Sequence, residues 1–247
     1  MSDIESSLRE LLAAKVHLGH RTQLRNPKMK KYIIKEKGGI HIIHPGMTLR
    51  ALQEAENFIQ RSVSQGATVL FVGTKRSSSE IIQKAADECS MYYVNQRWLG
   101  GTLTNFTTIK KSVDKLIRME KEVSEGLLDR RTKKERLEHE RSLNKMTRSL
   151  GGIKTMKSLP DILFVIDPKR EHNAIKEANR LKIPVVAICD TNCDPTGIDY
   201  VIPGNDDGLE SVQLFATRMV EAIKLGVRSP RANNAAIKDD AVEAVEE

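Results

Sequence analysis

The stretch "DILFVIDPKREHNAIKEANRLKIPVVAICD", Asp161 to Asp190, sets an apolar run, Ile162–Ile166, before a polar turn, a helical pattern and a second apolar run, Val185–Cys189. Neither run alternates apolar with polar, so each reads as a strand buried on both faces, and a helix between them makes a βαβ unit. The same grammar continues in both directions. Upstream stand the helix "MTLRALQEAENFIQRSVSQG" (47–66), the strand "TVLFVG" (68–73), the helix "SSSEIIQKAADECS" (77–90) and the strand "MYYV" (91–94). Downstream stand "DYVIP" (199–203) and the helix "GLESVQLFATRMVEAIKLG" (208–226). The expected fold is α/β: a doubly wound, mainly parallel sheet covered by helices on both faces.

A long interruption, from about residue 105 to 159, carries almost no strand signal. "FTTIKKSVDKLIRMEKEVSEG" places Phe106, Ile109, Val113, Leu116 and Val123 along one seam of an otherwise charged helix. "TKKERLEHERSLNKMTRSLGG" opens on a capping box, Thr132 to Glu135, and closes on Gly151 and Gly152. The expectation is an inserted antiparallel coiled-coil hairpin over 105–150, with a turn around "SEGLLD", dividing an α/β domain made of 1–104 and 151–228. Residues 229–247 read as an acidic, disordered tail. At the other end, "SSLRELLAAKVHLGH" (6–20) reads as an amphipathic helix, followed by a basic irregular segment with an Asn-Pro turn and a short strand at Ile40–Ile43.

At 247 residues and 39% hydrophobic, the chain can bury a core. Its net charge of +7 favours a polyanionic partner only if the charge is concentrated. It is: Lys15 to Lys37 holds eight Lys/Arg against one acid, and Phe106 to Leu150 thirteen against eight, whereas Ile237 to Glu247 holds one lysine against five acids. Three cysteines, an odd count, make no disulfide framework and no zinc pattern. The N-terminus does not read as a signal peptide, and no apolar run is long enough to span a bilayer, so a cytoplasmic location is expected.

Ligands of doubly wound sheets sit beyond the carboxyl ends of the strands. There "VGTKRSSSE" offers Gly73, Thr74, Lys75 and Arg76 at a helix start, which suits a phosphate, although neither a P-loop nor a Gly-x-Gly-x-x-Gly is present. "CDTNCDP" and "PGNDDG" gather Asp190, Asp194, Asp206 and Asp207, with Asp167 one strand away. These serve as turn-makers or as a divalent-metal or acid–base set. His17 and His20, at i and i+3 of the expected helix, would share a face and could hold a structural divalent metal with Asp190 or Asp206; otherwise they cap or pack. No nucleophile, base and oxyanion set assembles from these motifs, so binding is expected rather than catalysis. Trp98, the single tryptophan, lies in "VNQRWLGGTLTN" (94–105), where it either stacks on a nucleotide or packs the neck between sheet and hairpin.

Five blocks, "HLGHRTQLRNPKMKKYI" (17–33), "VLFVGTKR" (69–76), "YYVNQRWLGGTLTNF" (92–106), "LPDILFVIDPKREHNAIKEANRLKIPVVAICDTNCDP" (159–195) and "DYVIPGNDDG" (199–208), resemble the bacterial ribosomal protein S-two family over about residues 7–227. The resemblance implies a flavodoxin-like α/β domain with a projecting coiled-coil hairpin and a non-enzymatic place in the small ribosomal subunit. The implied partners are the 16S ribosomal RNA and other small-subunit proteins, including the mRNA-binding protein S-one, whose docking supports translation initiation. No cofactor, membrane or small-molecule substrate is implied. The implied RNA-binding residues are Arg21, Arg25, Asn26, Lys28, Lys30 and Lys31; Gly73, Thr74, Lys75 and Arg76; Asn95, Gln96, Arg97, Trp98, Gly101, Thr102, Thr104 and Asn105; and Lys110 and Lys111 on the first hairpin helix. Two other classes stay open at this point: a nucleotide- or sugar-phosphate-using enzyme with aspartate-held metal, and a protein scaffold working through the hairpin.

Overall fold

The computed structural model describes residues 2–127 and 132–229. Residues 230–247 of the expected acidic tail and part of the expected hairpin turn lie outside them. The elements run α1 (Ser2–Ala13), β1 (Leu18–Arg21), β2 (Ile33–Lys37), β3 (Ile40–Ile43), α2 (Pro45–Ser64), β4 (Val69–Val72), α3 (Arg76–Glu88) and β5 (Tyr92–Val94). They continue as α4 (Phe106–Ser124), α5 (Lys133–Leu150), β6 (Ile162–Ile166), α6 (His172–Arg180), β7 (Val185–Cys189), β8 (Tyr200–Pro203) and α7 (Leu209–Arg228).

Five strands form a parallel sheet in the order β5-β4-β6-β7-β8, with Val69 opposite Ile162, Leu163 opposite Val185 and Val186 opposite Tyr200. Counted within that sheet the order is 2-1-3-4-5, the flavodoxin-like winding of open α/β sheets. The three inner strands are buried along their whole length, as their unbroken apolar runs require. Period two sorts their side chains onto two cores. Phe71, Phe164 and Ile188 meet Leu52, Ile59, Phe215 and Met219 on one face, where Phe71 and Phe164 touch edge to face at 5.4 Å. Leu70, Val72, Leu163 and Val165 meet Met29, Leu116, Ala174 and Ala178 on the other. Each fully buried phenylalanine contributes about 2 to 3 kcal/mol through area removed from water.

The first forty residues depart from expectation. α1 stops at Ala13, and Lys15 takes a φ of 57°, a left-handed turn that ends the helix before Val16 and His17. The end of the expected helix instead yields β1, and the segment read as irregular yields β2; both pair antiparallel with β3 in a second, three-stranded sheet. Between β5 and β6 lie α4 and α5. Ile109, Val113 and Leu116 of α4 are buried as the seam predicts, but Met119 continues it and Val123 is exposed. α5 begins on the expected capping box: Thr132 Oγ1 accepts from Glu135 N, and Thr132 N donates to Glu135 Oε2.

Candidate nucleic-acid interface and strand-end cluster

The N-terminal basic block is pinned by two residues and shows the rest to solvent. Asn26 N donates to Thr191 O at 2.8 Å, and its side chain accepts from Lys28 N at 3.0 Å, which starts the 3₁₀ turn Pro27–Tyr32. Met29, fully buried, plugs that turn into the core. Arg21, Arg25, Lys28, Lys30 and Lys31 are exposed as a result, and Lys35 and Lys37 of β2 extend the basic surface. Within the block Lys28 is engaged by Asp194, at 2.9 and 3.0 Å, and by Thr196 Oγ1. Lys31 lies over the Tyr32 ring, 4.8 Å from its centroid.

The loop at Gly73–Arg76 turns inward, against the phosphate expectation. Gly73 is buried; a Cβ there would stand 3.0 Å from Ile82 and 3.1 Å from Ser78 Oγ. Thr74 N donates to Glu171 Oε1 at 3.1 Å, and the Thr74 hydroxyl bonds the same oxygen. The carboxylate of Glu171, 3% exposed, thus occupies the backbone donor that a phosphate would use. Burial pushes the Glu171 carboxyl up, against the Thr74 hydrogen bonds that pull it down. Lys75 also points inward, to Asp207, to Asp206 at 3.3 Å and to Asp167 at 3.9 Å. Only Arg76 of the four faces outward.

Around Lys75 the loops after β6, β7 and β8 bring their carboxylates together, and β1 adds an imidazole. His20 Nδ1 lies 2.8 Å from Asp190 Oδ2 and His20 Nε2 3.2 Å from Asp207 Oδ2. His20 N donates to Asp190 Oδ1 and Thr191 Oγ1, so the small sheet is tied to the ends of the large one. The hydrogen bond to Asp190 raises the His20 pKa. Burial, then the charges of Asp190 and Asp167, lift Asp206 to about 7. Lys75 is lowered by burial but raised on balance by Asp207, Asp206 and Asp167. His17 takes no part: the helix that would have aligned it with His20 ends four residues earlier, so the set His17, His20, Asp190 and Asp206 is not assembled. Among the described residues, the groupings with ligand atoms within 4.8 Å are His20, Asp206 and Asp207, and Asp167, Cys193 and Asp206. Asp194 lies apart and makes a turn, accepting from Thr196 N and Oγ1.

The neck from Val94 to Asn105 is organised by one residue that sequence patterning passed over. Glu177 of α6 accepts from Trp98 Nε1 (3.0 Å) and Gly101 N (2.9 Å) on Oε1. Its Oε2 accepts from Leu103 N (3.0 Å), Thr104 N (3.0 Å) and Thr104 Oγ1 (2.9 Å). Burial alone would raise the Glu177 carboxyl, but these bonds hold it below the usual range. The Trp98 ring packs against the sheet core, as the packing alternative predicts. Gly101 adopts φ +86°, which a side chain would strain. Asn95 and Thr102 are buried, bonded to Ser79 O and Gln83 and to Leu99 O respectively. Like Gly73, these two lie beneath the surface. Gln96, Arg97, Thr104, Asn105, Lys110 and Lys111 remain at the surface. The signal for Glu177 was faint: an acid beside Ala174, Ile175 and Ala178, the buried face of α6.

Fold and surface together define a flavodoxin-wound α/β protein that shows its lysines and arginines to solvent and spends its strand-end carboxylates on its own backbone and cations. The family described as "Ribosomal protein S2" matches residues 11–226. A curated relative, "Small ribosomal subunit protein uS2" of Geotalea uraniireducens (strain Rf4), is 47% identical over 240 residues, covering 97% of this chain and 92% of that protein. The chain belongs to the ribosomal protein S2 family. It is therefore a structural small-subunit ribosomal protein of the cytoplasm rather than an enzyme.

Proposed function

We propose that the chain anchors itself to the 16S ribosomal RNA through its outward cations, and that α4 and α5 form an antiparallel coiled-coil arm which widens that contact. The observation that carries this reading is the block Arg21–Lys37, where the pinned Asn26 and buried Met29 hold Arg21, Arg25 and Lys30 in solvent on a rigid support. Such cations reach phosphate oxygens and fix register without reading sequence. The arm is supported by the buried α4 seam and by His139 Nε2 of α5, 3.4 Å from Met119 O of α4. On this reading the chain also helps dock the mRNA-binding protein S-one, which the five family-like blocks support. Sedimentation of small subunits through a gradient tests the anchoring: the chain co-migrates at low salt and is released as salt rises, with log K falling by about 0.9 per duplex phosphate contacted. Salt-independent retention overturns it. Subunits rebuilt without the chain should fail to retain S-one; full retention removes that part.

A second reading concerns a structural divalent ion at His20, Asp206 and Asp207, favoured by their clustered donor atoms. The donor types suit zinc, but the Lys75 ammonium already lies among these carboxylates. Zinc at a hundredfold excess over its Kd would add about 2.7 kcal/mol to unfolding; an unchanged Tm dismisses the site.

A further inference from the structure

The position where doubly wound sheets usually seat a ligand is filled here by the chain itself. It lies between β4 and β6, at the switch in strand order. There Glu171 takes the Thr74 amide, and Lys75 is met by Asp206 and Asp207. One strand further along the same carboxyl edge, a crevice of about 430 Å³ stays open. The loop after β6, one face of α6 and the loop after β7 wall it, and Asn26 of the basic block joins them. Its volume falls in the range of small-molecule sites, roughly 300 to 1,000 Å³.

Three kinds of group line this space. Pro168 and Ile175, both buried, give it an apolar side. Lys169 stands beside His172 and Lys176, which lie four apart and so share a helix face. Among the described residues no carboxylate pairs with Lys169 or Lys176, and the one acid in the lining, Asp194, is taken by Lys28 at 2.9 Å. The third kind is the side-chain amide. Asn26 and Asn192 accept through Oδ1, from Lys28 N and Cys193 Sγ, and the NH₂ group of each has no acceptor among the described residues. The Asn179 amide is unbonded on the same count, at both ends. A Cβ at Gly197, which adopts φ +79°, would stand 2.3 Å from Asn179 Nδ2, so a glycine there is what leaves this amide room.

We infer that this crevice binds a nucleoside phosphate, an assignment that goes beyond the anchoring proposed above and uses none of its arginines. Two ammonium groups without a counter-charge, set in one concavity, call for a multiply charged anion, and their hydrogen bonds to phosphate oxygens are charge-assisted. A bare phosphate would leave the rest of the crevice unused. The amides of Asn26, Asn179 and Asn192 hold out NH₂ donors and one free carbonyl, the groups with which asparagine meets the heteroatoms on the edge of a base. Pro168 and Ile175 supply the apolar surface that a small-molecule site lays against a flat ligand. The ligand can be a free nucleotide or one unpaired nucleotide of an RNA strand, since both present the same phosphate, sugar and base.

The test is calorimetric titration of the full chain at low salt with AMP, GMP, CMP and UMP, and with the matching nucleosides, ribose 5-phosphate and inorganic phosphate. At least one monophosphate should saturate a single site and bind about tenfold more tightly than its nucleoside or either phosphate fragment, because each fragment forfeits one set of hydrogen bonds. K169Q/K176Q should weaken that monophosphate about tenfold and leave its nucleoside unchanged. Asn179→Ala should weaken monophosphate and nucleoside alike and leave inorganic phosphate unchanged. In the wild-type chain the ring protons of His172 should shift as the monophosphate is added, which locates the ligand without any variant. An unpaired trinucleotide of the same base that binds more tightly than the monophosphate identifies an RNA strand as the source; one that binds more weakly identifies the free nucleotide. The inference is overturned if no monophosphate saturates, if inorganic phosphate binds as tightly, or if His172 stays unshifted and neither variant alters the affinity.

Discussion

Glu177 faces five donors with two oxygens, and its amide could satisfy only part of them. In Glu177→Gln one terminal group becomes an NH₂ facing either Trp98 and Gly101 or Leu103 and Thr104. Leaving such donors unmet should lower unfolding free energy by about 2 kcal/mol, measured by urea titration followed through the fluorescence of Trp98. A loss within error would mean that the neck is held by packing alone. Asp206 gives a prediction in pH. Its folded carboxyl is lifted to about 7 by burial and by Asp190 and Asp167, whereas in the unfolded chain it ionises near about 3.9. Its contribution is therefore full below about 4 and is lost as pH rises to about 7, because the unfolded chain releases a proton that the folded one keeps. His20, raised by Asp190, acts in the same direction: its stabilisation is present below its ordinary value and fades as pH climbs through the raised one. Glu177 and Asp194, both lowered, act oppositely and lose their contributions in acid, Asp194 as pH falls through about 2. Asp206→Asn should flatten the stability profile between about pH 4 and 7 while leaving the acid limb as it was; an unaltered profile would show Asp206 to be ionised throughout.

At the scale of elements, Gly152 shows how far local grammar reaches. In the sequence it reads as a helix stop; in the fold it is the point where the root of α5 lies against Tyr93, with no room for a methyl group. Gly152→Ala should cost about 1 to 3 kcal/mol through forced overpacking, and wild-type stability would show that this junction yields. The strands of the large sheet were legible within a residue or so, since β4, β6 and β7 are buried on both faces and declare it in unbroken Val, Ile, Leu and Phe. The capping box at Thr132 was legible because it is written in two side chains three apart. β1 and β2 were not: each is short, β2 is exposed in four of its five residues, and neither alternates cleanly. The inward turn of Lys75 was also hidden. A lysine after a strand looks the same whether it meets a phosphate or, as here, carboxylates from loops more than a hundred residues away.

Across the whole molecule the two sheets carry unequal protection. The large sheet is covered on both faces, whereas the small one is tied to it by a few polar contacts from β1 and the turn after it: His20 to Asp190, Thr191 and Asp207, Asn26 N to Thr191 O, and Lys28 to Asp194. Hydrogen exchange should show amides of β4, β6 and β7 opening only with global unfolding and those of β2 far sooner; equal protection would mean one cooperative unit. The central pairing of the large sheet has a further consequence, in time. Thr68 and Asp161, bonded at the mouth of β4 and β6, stand 93 positions apart. At about 5 to 20 residues per second, a ribosome making this chain leaves β4 without its β6 neighbour for roughly 5 to 20 s. During that interval α4 and α5, whose contacts are local, can already form, while Val69–Val72 waits with an apolar edge unpaired. A protein destined for the ribosome thus passes through its most aggregation-prone moment while still attached to one.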